Sequence, residues 1–101
     1  MTLEQPLTTQ PTGESIGDLP LRHALGRTVR QLRRFRDLSQ AEFADRAGLA
    51  RNHIGEIERS AGDLKLQTIV SLADALDIHP SELLARAEAF AREQPLMPPQ
   101  L

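Results

Sequence analysis

The chain has 101 residues and a formal net charge of −2, with no cysteine and only three phenylalanines as large aromatic residues. This length allows one small domain with tails. The lack of cysteine excludes disulfides and thiolate metal sites and is consistent with a reducing cytoplasm. No apolar run is long enough to span a bilayer, and the N-terminus lacks the basic and apolar regions of a signal peptide.

The charge is divided unevenly along the chain. Residues 1–19 carry three acidic side chains and no basic one, and residues 66–101 hold two basic and five acidic side chains. Residues 20–65 hold ten Arg or Lys against six acids. The excess of positive charge therefore lies in the middle of the chain, where a phosphate backbone would bind.

The two ends of the chain are predicted to be tails. Residues 1–19 are rich in Thr, Gln, Pro and Gly without any period, which favours a disordered arm. Because the arm has no Lys or Arg, we expect a passive tail rather than an arm that binds a polyanion. Residues 93–101 contain three prolines and predict an irregular tail. One domain over residues 20–92 remains.

The first predicted helix runs from about Leu21 to Arg36. Leu25, Val29 and Leu32 recur at helical spacing and predict its buried face, which Phe35 is expected to extend. Six arginines occupy most of the remaining surface of this helix: Arg22, Arg27, Arg30, Arg33, Arg34 and Arg36. Because these arginines wrap around the helix, they cannot all serve one purpose.

The second predicted helix, from Gln40 to Ala47, has a signal at each end. Ser39 and Glu42 form a capping-box pattern, in which each side chain binds the other residue's backbone N–H. Gly48 follows where a left-handed residue commonly ends a helix. This helix is therefore predicted to be short.

A third helix is predicted soon after, from Arg51 to Arg59. Two short helices joined by a turn of about three or four residues with a Gly are typical of a helix-turn-helix. At helical spacing, Ala50, Ile54 and Ile57 fall on one face, which we expect to be buried. The opposite face holds five residues: Arg51, Asn52, Gly55, Glu56 and Arg59.

This opposite face has the chemistry of base recognition. Arg binds guanine, Asn binds adenine and Glu accepts a hydrogen bond from the cytosine amino group, while Gly allows another surface to approach closely. The alternative is a solvated helix face with ordinary charges. The tandem arrangement of the two helices favours base recognition.

Two more helices are predicted after the helix-turn-helix. The fourth, from about Leu66 to Leu76, is expected to turn five residues inward: Leu66, Ile69, Val70, Ala73 and Leu76. The fifth begins at Pro80, which suits a first helical position, and ends near Arg92. Because a small bundle cannot bury both stripes fully, leftover apolar surface is expected to form a dimer interface. The predicted interface residues are Leu83, Leu84, Ala87 and Phe90.

One pattern runs without a gap from Leu25 to Leu84. It contains Gly26, Val29, Leu32, Arg33, Leu38-Ser39-Gln40, Phe43-Ala44, Ala47-Gly48, Ile54, Ile57-Glu58-Arg59, Leu66, Ile69, Leu72-Ala73, Ala75-Leu76 and Pro80-Ser81-Glu82-Leu83-Leu84. With this pattern the chain resembles the lambda-repressor-like helix-turn-helix family of Cro, phage repressors and xenobiotic-response-element regulators. The segment from Arg51 to Arg59 also resembles restriction–modification controller proteins. The resemblance implies an all-α fold of five helices.

The resemblance also implies roles for individual residues. An ion pair between Arg33 and Glu58 is expected to tie the first helix to the third. Base contacts map onto four residues: Ala50, Arg51, Asn52 and Glu56. Phosphate contacts map onto Gln40 and Arg59, and Lys65 is expected to add to them.

Two positions depart from the family pattern. Ala50 stands where the family usually has Ser or Thr, so the third helix lacks a side-chain cap worth about 1 kcal/mol. The run from Ser60 to Asp63 replaces a Gly followed by basic residues, although Gly62 can supply the turn. Fewer basic residues imply fewer phosphate contacts, so we expect a moderate salt dependence of DNA binding.

No enzyme activity, cofactor or metal is predicted, because the three His lie on different elements and no metal-ligand spacing or Gly-rich phosphate loop occurs. The prediction is a cytoplasmic, homodimeric transcriptional regulator, by default a repressor, that binds a pseudo-palindromic operator in duplex DNA. Two alternatives stay open: an antitoxin that also binds a toxin, and a protein-interaction module with an unused DNA face. The operator, the regulated genes and the sign of regulation stay open as well.

Overall fold

The computed structural model describes residues 20–59 and 64–93. The described residues form five helices and no strand: α1 (Leu21–Phe35), α2 (Gln40–Ala47), α3 (Arg51–Arg59), α4 (Leu66–Ala75) and α5 (Pro80–Glu93). The predicted all-α, five-helix fold is therefore confirmed. The predicted arm at 1–19, the loop at 60–63 and the tail from 94 onward lie outside the described residues.

The helices pack around one apolar core. α1 packs against α5 and α3, α2 packs against α3 and α4, and α4 also contacts α5. The largest fully buried side chains come from all five helices and the turn after α4: Val29, Phe43, Ile54, Ile57, Leu72, Leu76 and Leu83. α1 and α2 thus pack against one side of α3, and the opposite side of α3 stays open.

The boundaries of α2 follow from its local sequence. The backbone N–H of Glu42 donates to the Ser39 hydroxyl at 3.0 Å, and the Ser39 N–H donates to the Glu42 carboxylate at 2.8 Å. At the other end, Gly48 adopts a left-handed φ of 70°. The capping box and the glycine stop are both confirmed.

A glycine lets α1 and α3 approach each other closely. A Cβ added at Gly26 would collide with the carbonyl oxygen of Ile57 and lie 3.3 Å from that of Glu58. Both carbonyls belong to the last turns of α3. Gly26 therefore fixes how deeply the back of α3 settles against α1.

The buried face of α4 differs from the prediction. Leu66 is 72% exposed and Val70 is 37% exposed, so neither points inward as expected. Leu72 is fully buried instead, and Ala73, Ala75 and Leu76 are also buried. α4 is apolar around much of its circumference, so its spacing alone could not decide which stripe would face the core.

Smaller differences occur at helix ends. α1 stops at Phe35, one residue before the predicted end, and Phe35 is 84% exposed rather than part of the buried face. α4 stops at Ala75, while Leu76 follows it as a buried cap residue. α5 reaches Glu93, one residue beyond the predicted domain boundary.

The α5 stripe splits into two parts. Leu83 and Ala87 are fully buried within a single protomer, so they belong to its core and cannot supply the dimer interface expected of them. Leu84 and Phe90 are only half-buried and stay accessible.

No described helix is long and apolar enough to cross a membrane.

Candidate nucleic-acid interface

The open side of α3 is polar, whereas its inner side is apolar. Ile54 and Ile57 are buried, as the helical spacing predicts. Arg51, Asn52, Glu56 and Arg59 are exposed. With Gln40 and Gly55 they line an open groove of about 310 Å³, which we call the reading groove. The predicted opposition of the two faces is confirmed for Ile54 and Ile57, but Ala50, which was also expected on the buried face, is exposed because it precedes the first turn of α3.

Gly55 lines the reading groove without filling it, because it has no side chain. A Cβ at this position would lie 3.3 Å from a guanidinium nitrogen of Arg59. A larger side chain would therefore push against Arg59 and fill the groove. The glycine leaves room for another surface to come close to α3.

A buried ion pair joins α3 to α1. The Arg33 Nε donates to one Glu58 oxygen at 2.6 Å and its Nη2 to the other at 3.1 Å. The third nitrogen of Arg33 donates to the Leu38 carbonyl at 2.7 Å. Because such a two-pronged pair is geometrically specific, it fixes α3 relative to α1 and to the turn before α2. The predicted ion pair is present.

Gln40 joins the same network. Its side-chain N–H donates to Glu58 at 3.1 Å, so one carboxylate orients both Arg33 and Gln40. The amide has a second N–H and an oxygen with which it can bind a further group. Residue spacing gave no sign of this link, because Gln40 and Glu58 meet only through the packing of α2 on α3.

Two of the predicted DNA contacts lie apart from the groove. Ala50 is exposed just before α3, and its carbonyl accepts the backbone N–H groups of His53 and Ile54 at 3.0 and 3.1 Å. Lys65 is exposed just before α4. Neither lines the groove, which brings together Gln40 and the polar residues within α3.

The reading groove offers hydrogen-bonding groups and charges of both signs. Its charged members are two arginines and one glutamate, and Glu56 already makes a contact within the protein. In the parts of the chain that the structure describes, no group of three or more His, Asp or Glu could hold a metal ion. The groove suits a ligand with both anionic groups and hydrogen-bonding edges.

The sequence matches a known family and named relatives. The helix-turn-helix family matches residues 29–83. The control protein C.SmaI of Serratia marcescens is 35% identical over 68 residues, which cover 67% of this chain and 81% of that protein. The immunity repressor protein of Bacillus phage phi105 is 30% identical over 70 residues, 69% of this chain and only 49% of the repressor.

Solved structures of regulatory proteins also superpose on this chain. The restriction-modification controller protein C.AhdI from Aeromonas hydrophila superposes with a TM-score of 0.58 at 41% identity, over 60% of this chain and 92% of that one. The clp gene regulator ClgR from Corynebacterium glutamicum superposes with a TM-score of 0.67 at 24% identity, over 71% of this chain and 77% of that one. The second likeness concerns the fold alone.

Proposed function

Because the chain belongs to the helix-turn-helix family of lambda-repressor-like regulators, we propose that it binds duplex DNA sequence-specifically and regulates transcription. One observation carries the proposal: the reading groove gathers Gln40 with Arg51, Asn52, Glu56 and Arg59 on the open side of α3. A helix of this kind fits the major groove, whose base pairs present distinct donor and acceptor patterns.

The chemistry of each side chain suggests its contact. Arg51 suits a guanine, Asn52 an adenine and Glu56 a cytosine amino group. Ala50, exposed just before α3, offers a methyl group that suits the thymine methyl.

Phosphate contacts are proposed for three further residues, Gln40, Arg59 and Lys65. Arg59 and Gln40 both line the reading groove, and Lys65 follows residues 60–63 just before α4. Gln40 is held in place by Glu58, and it stands in the first turn of α2, where backbone N–H groups attract an anion. Contacts of this kind set the register of the protein on DNA, whereas base contacts supply the specificity.

We further propose that the protein binds a pseudo-palindromic operator as a homodimer. Two copies related by a two-fold axis would place their α3 helices in successive major grooves about 34 Å apart. Leu84 and Phe90 remain accessible on α5, and Leu66 and Val70 add exposed apolar surface on α4. Binding over a promoter would exclude polymerase, so repression is the proposed mode of regulation.

Selection from a random pool of duplex DNA tests the proposal. Wild type, Arg51→Ala and the control Arg36→Ala would be compared; Arg36 is exposed and lies outside the reading groove. Wild type and control should enrich one two-fold symmetric site. Arg51→Ala should lose about 1–3 kcal/mol of binding free energy and relax the preference at one base pair per half-site. Failure of the wild type to enrich any sequence would refute the proposal.

A further inference from the structure

A second groove of about 540 Å³ opens beside the reading groove. Its lining residues are Arg27, Arg30, Arg33, Arg34, Gln40, Gly55, Glu58 and Arg59. We call it the arginine groove. Gln40, Gly55 and Arg59 line both grooves, so the two adjoin along these residues. A long ligand in the reading groove therefore has the arginine groove as its immediate continuation.

One wall of the arginine groove is a stripe on α1. At roughly 100° per residue, Arg27, Arg30 and Arg34 fall within an arc of about 60°, whereas the buried Val29 lies on the opposite side. All three arginines are exposed. The stripe is about 10 Å long, which exceeds the 3.4 Å that one nucleotide of a strand occupies along the duplex axis.

The arginine groove has a large excess of positive charge. Its single carboxylate, on Glu58, is paired with Arg33. Among the residues that the structure describes, none of the other four arginines of the groove forms a salt bridge. Four like charges around one groove repel each other, and a polyanion would remove that repulsion. Guanidinium groups also match phosphate oxygens in geometry.

Resting on the DNA binding proposed above, we propose that the arginine groove binds the phosphate backbone of the same duplex, beside the bases that α3 reads. α1 then acts as a second binding element rather than only as a support for α3. Its arginines contribute affinity on any DNA sequence, whereas Arg51, Asn52 and Glu56 contribute the preference between sequences.

The salt dependence of binding tests this proposal. The triple variant Arg27→Gln/Arg30→Gln/Arg34→Gln would be compared with Arg46→Gln/Arg86→Gln/Arg92→Gln, which removes the same charge from exposed arginines outside both grooves. Binding to the selected operator and to a scrambled duplex would be measured from about 50 to 200 mM salt. Thermal unfolding monitored by circular dichroism would confirm that each variant is folded.

The first triple variant should lower the slope of log affinity against log salt by about 2 to 3, at about 0.9 per phosphate contact. The loss should be equal on operator and scrambled DNA, and the control should keep the wild-type slope. The corresponding Arg→Lys triple variant keeps the charges and should keep most of the slope. An unchanged slope in the Gln variant, or an equal loss in the control, would overturn the proposal while leaving operator binding by α3 intact.

Discussion

The helix-turn-helix unit and the helix that follows it are held by different kinds of interaction. α2 has a capping box at its start and a left-handed glycine at its end, and α3 is tied to α1 by the Arg33–Glu58 pair. α4 has no side-chain hydrogen bond at its N-cap, Lys65. It is anchored by the burial of Leu72 and its neighbours.

This difference has consequences for function. Hydrogen bonds and ion pairs depend on direction, so they fix the orientation of α3, which a base-reading helix requires. Apolar burial depends mainly on area, so it stabilises α4 without specifying which of several apolar stripes faces inward. The directional contacts lie where the proposed function needs precision.

The largest effect is expected at the buried ion pair. Arg33→Met should lower the free energy of unfolding by about 3–5 kcal/mol, because Glu58 is left as a buried charge without its main partner. Urea denaturation would measure this loss. Arg86→Met breaks the exposed pair with Glu82 and should cost less than about 1 kcal/mol.

The double variant Arg33→Met/Glu58→Leu separates stability from orientation. Replacing a buried pair by apolar residues is often neutral or stabilising, so much of the lost stability should return. Operator binding should not return, because Gln40 and α3 lose the carboxylate that orients them. Full recovery of binding would contradict the view that directional contacts position α3.

Two leucines on α4 test whether apolar burial anchors this helix. Leu72 is fully buried and Leu66 is 72% exposed, although both fit the apolar pattern of the helix. Leu72→Ala should cost about 2–5 kcal/mol in the free energy of unfolding, whereas Leu66→Ala should change it by less than about 0.5 kcal/mol. Similar costs for both variants, measured in urea, would mean that α4 faces the core differently.

The same contrast explains what the sequence could predict. The start and end of α2 depend on Ser39, Glu42 and Gly48, which lie three to nine positions apart in the chain, and both ends agree with the prediction. The Arg33–Glu58 pair spans 25 positions and was expected only through the family resemblance. The Gln40–Glu58 contact and the inward turn of Leu72 depend on how helices pack, and no local spacing encodes that packing.

Alanine substitutions at Gly26 and Gly55 distinguish the effect of close helix packing from the effect of the reading groove's shape. Gly26→Ala should destabilise the protein by about 1–3 kcal/mol, because its Cβ would collide with backbone that cannot easily move. Gly55→Ala meets only the end of the Arg59 side chain. It should gain up to about 1 kcal/mol from helix propensity yet weaken operator binding. Urea denaturation and operator titration of both variants would check this, and stabilisation by Gly26→Ala would refute the close contact.

The smallest effect concerns the capping box and its dependence on pH. Hydrogen bonding with Ser39, first of all from its backbone N–H and then with its side chain, lowers the pKa of the Glu42 carboxyl below its ordinary value of 4.5. The folded state therefore holds this proton less tightly than the unfolded state. The stabilisation is fully present above about pH 4.5 and is lost as the pH falls through the lower, folded-state pKa.

Glu42→Gln removes this titration while keeping an oxygen that can accept the Ser39 N–H. Its melting temperature should be slightly below that of the wild type at pH 7, and the gap should close as the pH is lowered towards 3. Glu93→Gln, at the exposed end of α5, is the control and should follow the wild type. A gap between Glu42→Gln and wild type that stays constant with pH would mean that the cap depends on hydrogen-bond geometry alone. The start of α2 would then owe nothing to the charge of Glu42.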